Sequence, residues 1–158
     1  MNFAEKKRMQ SALAFAMSAQ GIPIMYYGTE QLFNGGQDPD DREDLWHTNL
    51  QKGEMYDWVA TLNKARTDTK WWQEEQVERW CDDHMYSFTR GTTLTFFSND
   101  YNGDRGITIN YHSYNIGDVL QNIWNPSDQV TVTSAGIHLV SQGGMPKIYK
   151  LVNSEEFI

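Results

Sequence analysis

Apolar positions recur at three- and four-residue steps near the start of the chain, at Met9, Ala12, Leu13, Ala16 and Met17. That is the period of a helix, and residues 4–19 are mostly good helix formers, so a helix with one buried face is predicted there. Its second half, 12–16, is apolar almost all round, which predicts cover by neighbours on more than one side. Gly21 is placed to end it. Residues 22–27 then form a continuous apolar run, IPIMYY, closed by Gly28, the pattern of a parallel strand buried on both faces. Pro23 cannot donate to a ladder, and it stands near the start of the run, where a strand tolerates it.

Residues 29–51 are polar, with Gly35, Gly36 and Pro39 and five carboxylates between Asp38 and Asp44. Loops this long are functional or disordered. A second helix is predicted over 54–66, where Met55, Val59, Leu62 and Arg66 share a stripe with Trp58 beside it. From residue 76 the period changes to that of strands, with short runs at 77–81, 85–89, 92–97, 107–111, 119–124, 130–133, 137–141 and 147–152. Asp82-Asp83, Arg90-Gly91, Asn102-Gly103, Ala135-Gly136 and Gly143-Gly144 punctuate them as reversals. Many short strands at this spacing predict an antiparallel sandwich.

The predicted chain therefore has two unequal parts, residues 1–72 and 73–158. The first, helix, strand, loop and helix, cannot close a sheet alone. The second is long enough to fold by itself. An α/β unit followed by a β domain is how the tail of a (β/α)8 barrel reads, because the last such unit immediately precedes any domain placed after the barrel.

Composition narrows the partners. A formal charge of −8 over 158 residues opposes phosphate backbones, so nucleic acid is not an expected partner. The longest apolar run, 22–27, falls far short of the about 18 residues a membrane helix needs, so no membrane span is expected. The first twenty residues have a basic stretch followed by an apolar one, but Glu5 and the Gly-Ile-Pro sequence after it argue against a cleaved leader. Cys81 is the single cysteine and has no intramolecular partner.

The stretch GIPIMYYGTEQLFNGGQDPDDREDLW resembles the end of the catalytic barrel of the α-amylase family of glycoside hydrolases, through Gly21, Pro23, Tyr26, Gly28, Glu30, Gln31, Gly35, Gly36, Asp38, Pro39, Arg42, Glu43 and Trp46. Residues 143–149, GGMPKIY, are similar to the closing motif of that family's C-terminal β domain. The resemblance implies a C-terminal piece of such an enzyme: the last helix, strand, loop and helix of the barrel, then an all-β antiparallel sandwich domain. The family implied hydrolyses internal α-1,4-glucosidic bonds of starch and glycogen with retention, using a nucleophilic aspartate, an acid glutamate and a stabilising aspartate. The two reacting carboxyls must lie about 5 Å apart. By the resemblance all three belong to strand ends before residue 4, so this chain is expected to hold no catalytic residue and to be inactive alone. The family's calcium is likewise implied to be bound by an earlier inserted domain, with no metal ligand here.

What the resemblance carries onto this chain is a substrate contact: Asp38 and Arg42 hydrogen-bonding a glucose unit of an α-glucan or maltooligosaccharide. The carboxylate accepts from adjacent hydroxyls and the guanidinium donates in a fixed plane. Their spacing of four also suits a direct contact if Pro39 starts a helical turn. The plainer reading is a solvated ion pair that shapes the loop. Glu30 is expected to be scaffold, and Asp40, Asp41, Glu43 and Asp44 a solvated face, since they lack the alternating ligands of a calcium loop. His47, His84, His112 and His138 have no metal-ligand spacing, and Trp71, Trp72 and Trp80 are expected to pack rather than to stack sugars. The full-length family member is expected to be monomeric, and its compartment stays open between secreted or lysosomal/vacuolar and other addresses. Three alternatives remain: a cyclodextrin-forming transglycosylase of the same family, a non-catalytic carbohydrate-binding or interaction remnant, and a β domain that only stabilises a barrel.

Overall fold

The computed structural model describes residues 3–152; the ends of both predicted parts, residues 1–2 and 153–158, lie outside them. Helix α1 spans Phe3–Ser18 and helix α2 Glu54–Thr69, followed by eight strands: β1 Gln76–Cys81, β2 Met85–Arg90, β3 Thr93–Ser98, β4 Asp104–Ile109, β5 Val119–Asn122, β6 Gln129–Thr131, β7 Ile137–Gln142 and β8 Lys147–Val152. Each predicted strand has its counterpart within a few residues. Six strands form one sheet in the order β1-β2-β3-β8-β5-β6, and β4 pairs with β7 in a second. Every pairing is antiparallel. The architecture is thus a mostly antiparallel β structure with two helices.

The middle of the large sheet is covered on both faces because its strands carry apolar side chains on both. Leu94, Phe96 and Tyr149 face Ile107, Ile109, Ile137 and Leu139 of the small sheet, in a core that also takes in Leu120 and Val132. On the opposite face Phe88, Phe97 and Ile148 pack against Ala14 and Met17 of α1, Leu62 and Ala65 of α2, and Trp71. Buried polar groups on these strands are paired locally: Thr95 Oγ1 donates to Phe88 O at 2.9 Å, and Ser87 Oγ to Thr95 O. That meets the general requirement on buried donors.

Helix α2 buries Met55, Val59 and Leu62 of its predicted stripe, with Ala65 buried and Arg66 only half-buried. Trp58 stacks on Trp124, with ring centroids 4.5 Å apart and planes 8° from parallel, and Trp124 Nε1 donates to Trp58 O at 3.1 Å. Trp71 is fully buried and Trp80 packs half-buried against the first core, as expected of them. Trp72 instead stays exposed, with the Arg66 guanidinium 5.4 Å from its ring.

Two further expectations fail. Helix α1 buries Gln10, Ser11, Ala14, Met17 and Ser18, while Ala12, Phe15 and Ala16 are exposed. The buried face is turned from the predicted one because small and polar residues can be buried where their hydroxyls find carbonyls: Ser18 Oγ donates to Ala14 O at 2.6 Å and Ser11 Oγ to Gly144 O at 3.4 Å. Residues 22–27, predicted as a strand, are irregular. Ile22 is 92% and Ile24 90% exposed. A strand exists through its ladder, and among the described residues no strand pairs with this segment.

Two arginines tie the end of α1 to α2 and β2. Arg90, 4% exposed at the end of β2, donates through Nη1 to Ser18 O at 3.2 Å and Ala19 O at 2.9 Å, and through Nε to Glu74 O at 3.1 Å. Arg66 of α2 donates to Met17 O at 2.9 Å. Cations there meet the unpaired carbonyls and negative dipole end of the helix. A second tie joins β8 to the turn before β6. Lys147 Nζ lies 2.9 Å from Asp128 Oδ2, which also accepts from Asn122 Nδ2 at 2.9 Å, and Tyr149 OH donates to Asp128 Oδ1 at 3.1 Å. The GGMPKIY motif therefore has a structural role, holding Asp128 from β8. Among the described residues no helix is long and apolar enough to cross a membrane.

Candidate functional site

The polar stretch from Gly28 to Gln51 folds back on itself through three short 3₁₀ turns, Thr29–Gln31, Asp40–Arg42 and Leu45–Thr48. Gly28 opens it at φ 84°, its carbonyl accepting from Gln31 N and Phe33 N, both at 3.0 Å. The Phe33 ring lies where a Cβ on Gly28 would stand, so this position requires glycine on both backbone and packing grounds. Gln31 Nε2 donates to Gln51 O at 3.1 Å and draws the two ends of the loop together. Glu30 sits in the first turn, half-buried beside Tyr27 and Tyr56 of α2, consistent with scaffold.

At the tip, Asp40 N donates to Gln37 O and Arg42 N donates to Pro39 O at 3.0 Å, so the turn starts after Pro39. This brings Arg42 Nη2 to 3.1 Å from Asp38 Oδ2, the contact their spacing predicts. Both side chains remain about two-thirds exposed, 66% for Arg42 and 65% for Asp38. Further hydrogen bonds steady the tip: Glu43 Oε1 accepts from Asn34 N at 3.2 Å, and Asp44 Oδ1 accepts from Trp46 N at 3.1 Å and lies 3.5 Å from His47 Nδ1. Together Pro39, Arg42, Asp44 and His47 border an open cleft of about 490 Å³.

Two features of this site were not read from the sequence. Trp46, used there only as a motif position, is 76% exposed beside the cleft residue His47. An indole in a polar loop, with no apolar periodicity around it, is the signal that marks it. Tyr27, whose ring centroid is 4.7 Å from that of Tyr26, has its phenol pKa raised, by partial desolvation first and then by Tyr26. It extends the aromatic surface at the base of the loop.

The surface presents a carboxylate, a guanidinium, an imidazole and an exposed indole. Such groups bind hydroxyls and ring faces. Asp40 and Asp41 are exposed, as a solvated face should be. Among the described residues no three His, Cys, Asp or Glu side chains gather to hold a metal ion. Cys81 is exposed and unbonded. His84 lies 3.1 Å from Asn99 Oδ1 and His138 3.2 Å from Thr108 Oγ1, both away from this loop.

No family model matches the chain. Curated relatives do. The β/α-amylase of Paenibacillus polymyxa is 32% identical over 141 residues, covering 86% of this chain and 12% of that protein. The α-amylase of Saccharomycopsis fibuligera is 30% identical over 154 residues, covering 92% of this chain and 31% of that protein. The cyclomaltodextrin glucanotransferase of a Bacillus strain is 27% identical over 155 residues, covering 90% of this chain and 21% of that protein. Among solved structures, the α-amylase of Malbranchea cinnamomea superposes with a TM-score of 0.82 at 24% identity, over 90% of this chain and 32% of that one. The Geobacillus thermoleovorans α-amylase, solved with acarbose, gives 0.74 at 25% identity over 94% of this chain and 34% of that one. The chain thus spans about a third or less of the length of the relatives it matches. Relatives and fold together support an α-amylase-family C-terminal fragment.

Proposed function

We propose that this chain supplies an α-amylase with one sugar-contacting loop and its accessory β-sandwich domain. The enzyme would hydrolyse internal α-1,4-glucosidic bonds of starch or glycogen with retention. Asp38 and Arg42 bind a glucose unit of the α-glucan, the carboxylate accepting from two hydroxyls while the guanidinium donates and holds the carboxylate in place. The exposed Trp46 indole adds a face for stacking. Residues 1–72 are proposed as the end of the (β/α)8 barrel and 73–158 as the sandwich domain.

The observation that carries the reading is the Asp38–Arg42 pair, 3.1 Å apart yet two-thirds exposed, at the tip of a loop whose motif resembles the family's substrate cleft. Their exposure leaves both groups accessible to a sugar. The exposed run of residues 22–27 supports the barrel assignment, since Ile22 and Ile24 are apolar side chains of the kind that the packed interior and outer helices of a barrel cover. Catalysis needs a nucleophile and an acid about 5 Å apart. In this proposal those carboxylates, and the calcium ligands, belong to other parts of a monomeric enzyme, and these 158 residues alone are inactive. A second reading, favoured by the similarity to a cyclomaltodextrin glucanotransferase, is a cyclodextrin-forming transglycosylase using the same loop.

The test is a titration of the 158-residue chain with maltoheptaose, followed by backbone amide NMR. Shifts concentrated in residues 35–47 are expected; their absence overturns the assignment of the loop.

A further inference from the structure

Outside the loop, a second cleft of about 360 Å³ opens between α1 and the turns at the ends of β1 and β3. Its volume falls in the range of about 300–1,000 Å³ typical of small-ligand sites. Three rings make its floor: Phe15, 44% exposed, stands 6.2 Å from Tyr86 and 5.8 Å from Phe97, centroid to centroid. Tyr101 stands at its side and is held from both sides. The Arg8 guanidinium lies 5.1 Å from its ring, and Gly144, at φ 74°, lies so close that a Cβ there would enter the ring.

The polar rim is built rather than loose. Asp82 is wholly committed to its own turn, accepting from Trp80 Nε1 at 2.7 Å, His84 N at 2.8 Å and Met85 N at 2.7 Å. Those bonds keep its pKa below the ordinary aspartate value. His84 Nδ1 lies 3.1 Å from Asn99 Oδ1, and Asn99 Nδ2 donates to Asp83 O at 2.9 Å, which locks the two turns together. This leaves the exposed Asp83 side chain, whose carboxylate takes part in none of these bonds, and the exposed His84 ring lining the same cleft as Phe15, Tyr86 and Phe97.

We propose that this cleft is a second site for a neutral α-glucan chain, resting on the functional reading above. A sugar ring offers an apolar C–H face to Phe15, Tyr86 and Tyr101, and pairs of vicinal hydroxyls that donate to Asp83 and exchange hydrogen bonds with His84. The aspartates, in a chain of charge −8, repel anionic ligands. The fixed turns keep the ordering cost of binding small. No described side chain of the loop lines this cleft, so a long maltooligosaccharide would be held at two separate places.

The maltoheptaose titration reads both sites at once. A second set of amide shifts, at residues 83–86 and 98–101, is expected beside the loop set. Asp83→Asn leaves the bonds of the turn intact and should weaken the cleft set about tenfold while the loop set stays, the loss of roughly one charge-assisted hydrogen bond. Tyr101→Ala should act alike, and unchanged Trp80 and Trp124 side-chain resonances show that the fold survives. Shifts confined to 35–47, or a cleft set untouched by Asp83→Asn, overturn the second site and leave the loop standing. Shifts confined to the cleft overturn the loop alone. If octanol shifts the cleft residues as strongly as maltoheptaose does, the cleft is an apolar protein-docking surface and the proposal is wrong.

Discussion

Arg90 Nη1 donates to the backbone carbonyl of Ala19 at 2.9 Å, joining the last residue of β2 to the chain just past α1. Since the same guanidinium also reaches Ser18 O and Glu74 O, it does what a C-terminal cap does in an isolated helix, from 71 residues away. Replacing it leaves one buried and two part-buried carbonyls without this donor. Arg90→Ala should lower unfolding stability by about 2–3 kcal/mol, with Arg90→Lys intermediate because an ammonium cannot match the planar fork. Urea denaturation measures this, and a loss under about 0.5 kcal/mol would show that the capping is incidental.

Asp128 makes stability depend on acid. Burial opposes its charged form, but the bonds from Asn122, Lys147 and Tyr149 outweigh burial and leave its pKa below the ordinary aspartate value. A depressed carboxylate contributes stability that is present above its unfolded pKa of about 3.9 and is lost as pH falls through the folded value. Asp82 and Asp100 are shifted in the same direction, Asp82 chiefly by Trp80 and Asp100 chiefly by Arg105. The parent chain should therefore lose stability below about pH 4. Asp128→Asn should have a shallower acid limb and lower stability at neutral pH. Asp128→Ala, which strands the nearly buried Lys147, should cost about 3 kcal/mol. Thermal melts from pH 3 to 7 check both, and equal acid slopes for parent and Asp128→Asn would refute the role given to Asp128.

The Trp58–Trp124 stack couples α2 to the segment after β5. A double-mutant cycle with Trp58→Leu and Trp124→Leu should give a coupling of about 1 kcal/mol, the usual value for a well-aligned aromatic pair. Additive losses would mean that the two rings are merely neighbours.

What the sequence made legible depended on how local the cause was. The eight strands were readable because alternation and turn residues such as Asn102-Gly103 act over a few positions. So was the Asp38–Arg42 contact, a matter of four-residue spacing after a proline. The buried face of α1 was misjudged because Gln10, Ser11 and Ser18 are polar and are satisfied by partners that periodicity does not register, such as Gly144 O. Residues 22–27 carry a strand's composition, but a strand needs a neighbour, which no local pattern supplies. The Arg90 cap and the Asp128 network join residues far apart in the chain and left no local trace.

The loop makes a sharper demand. Asp38→Ala in this chain should weaken maltoheptaose binding at residues 35–47 by about 1–3 kcal/mol, since it removes the acceptor and releases Arg42. Arg42→Lys should cost less than Arg42→Ala. Equal affinity for parent and Asp38→Ala would reduce the pair to a loop-shaping ion pair.

If this chain contacts the glucan and the reacting carboxylates lie in other sequence, as proposed, these residues alone do not cleave starch. The direct measurement is release of reducing ends from soluble starch by the purified, folded 158-residue chain. No release above a no-protein control is expected. Hydrolysis that rises with protein concentration and disappears on heat unfolding would contradict it.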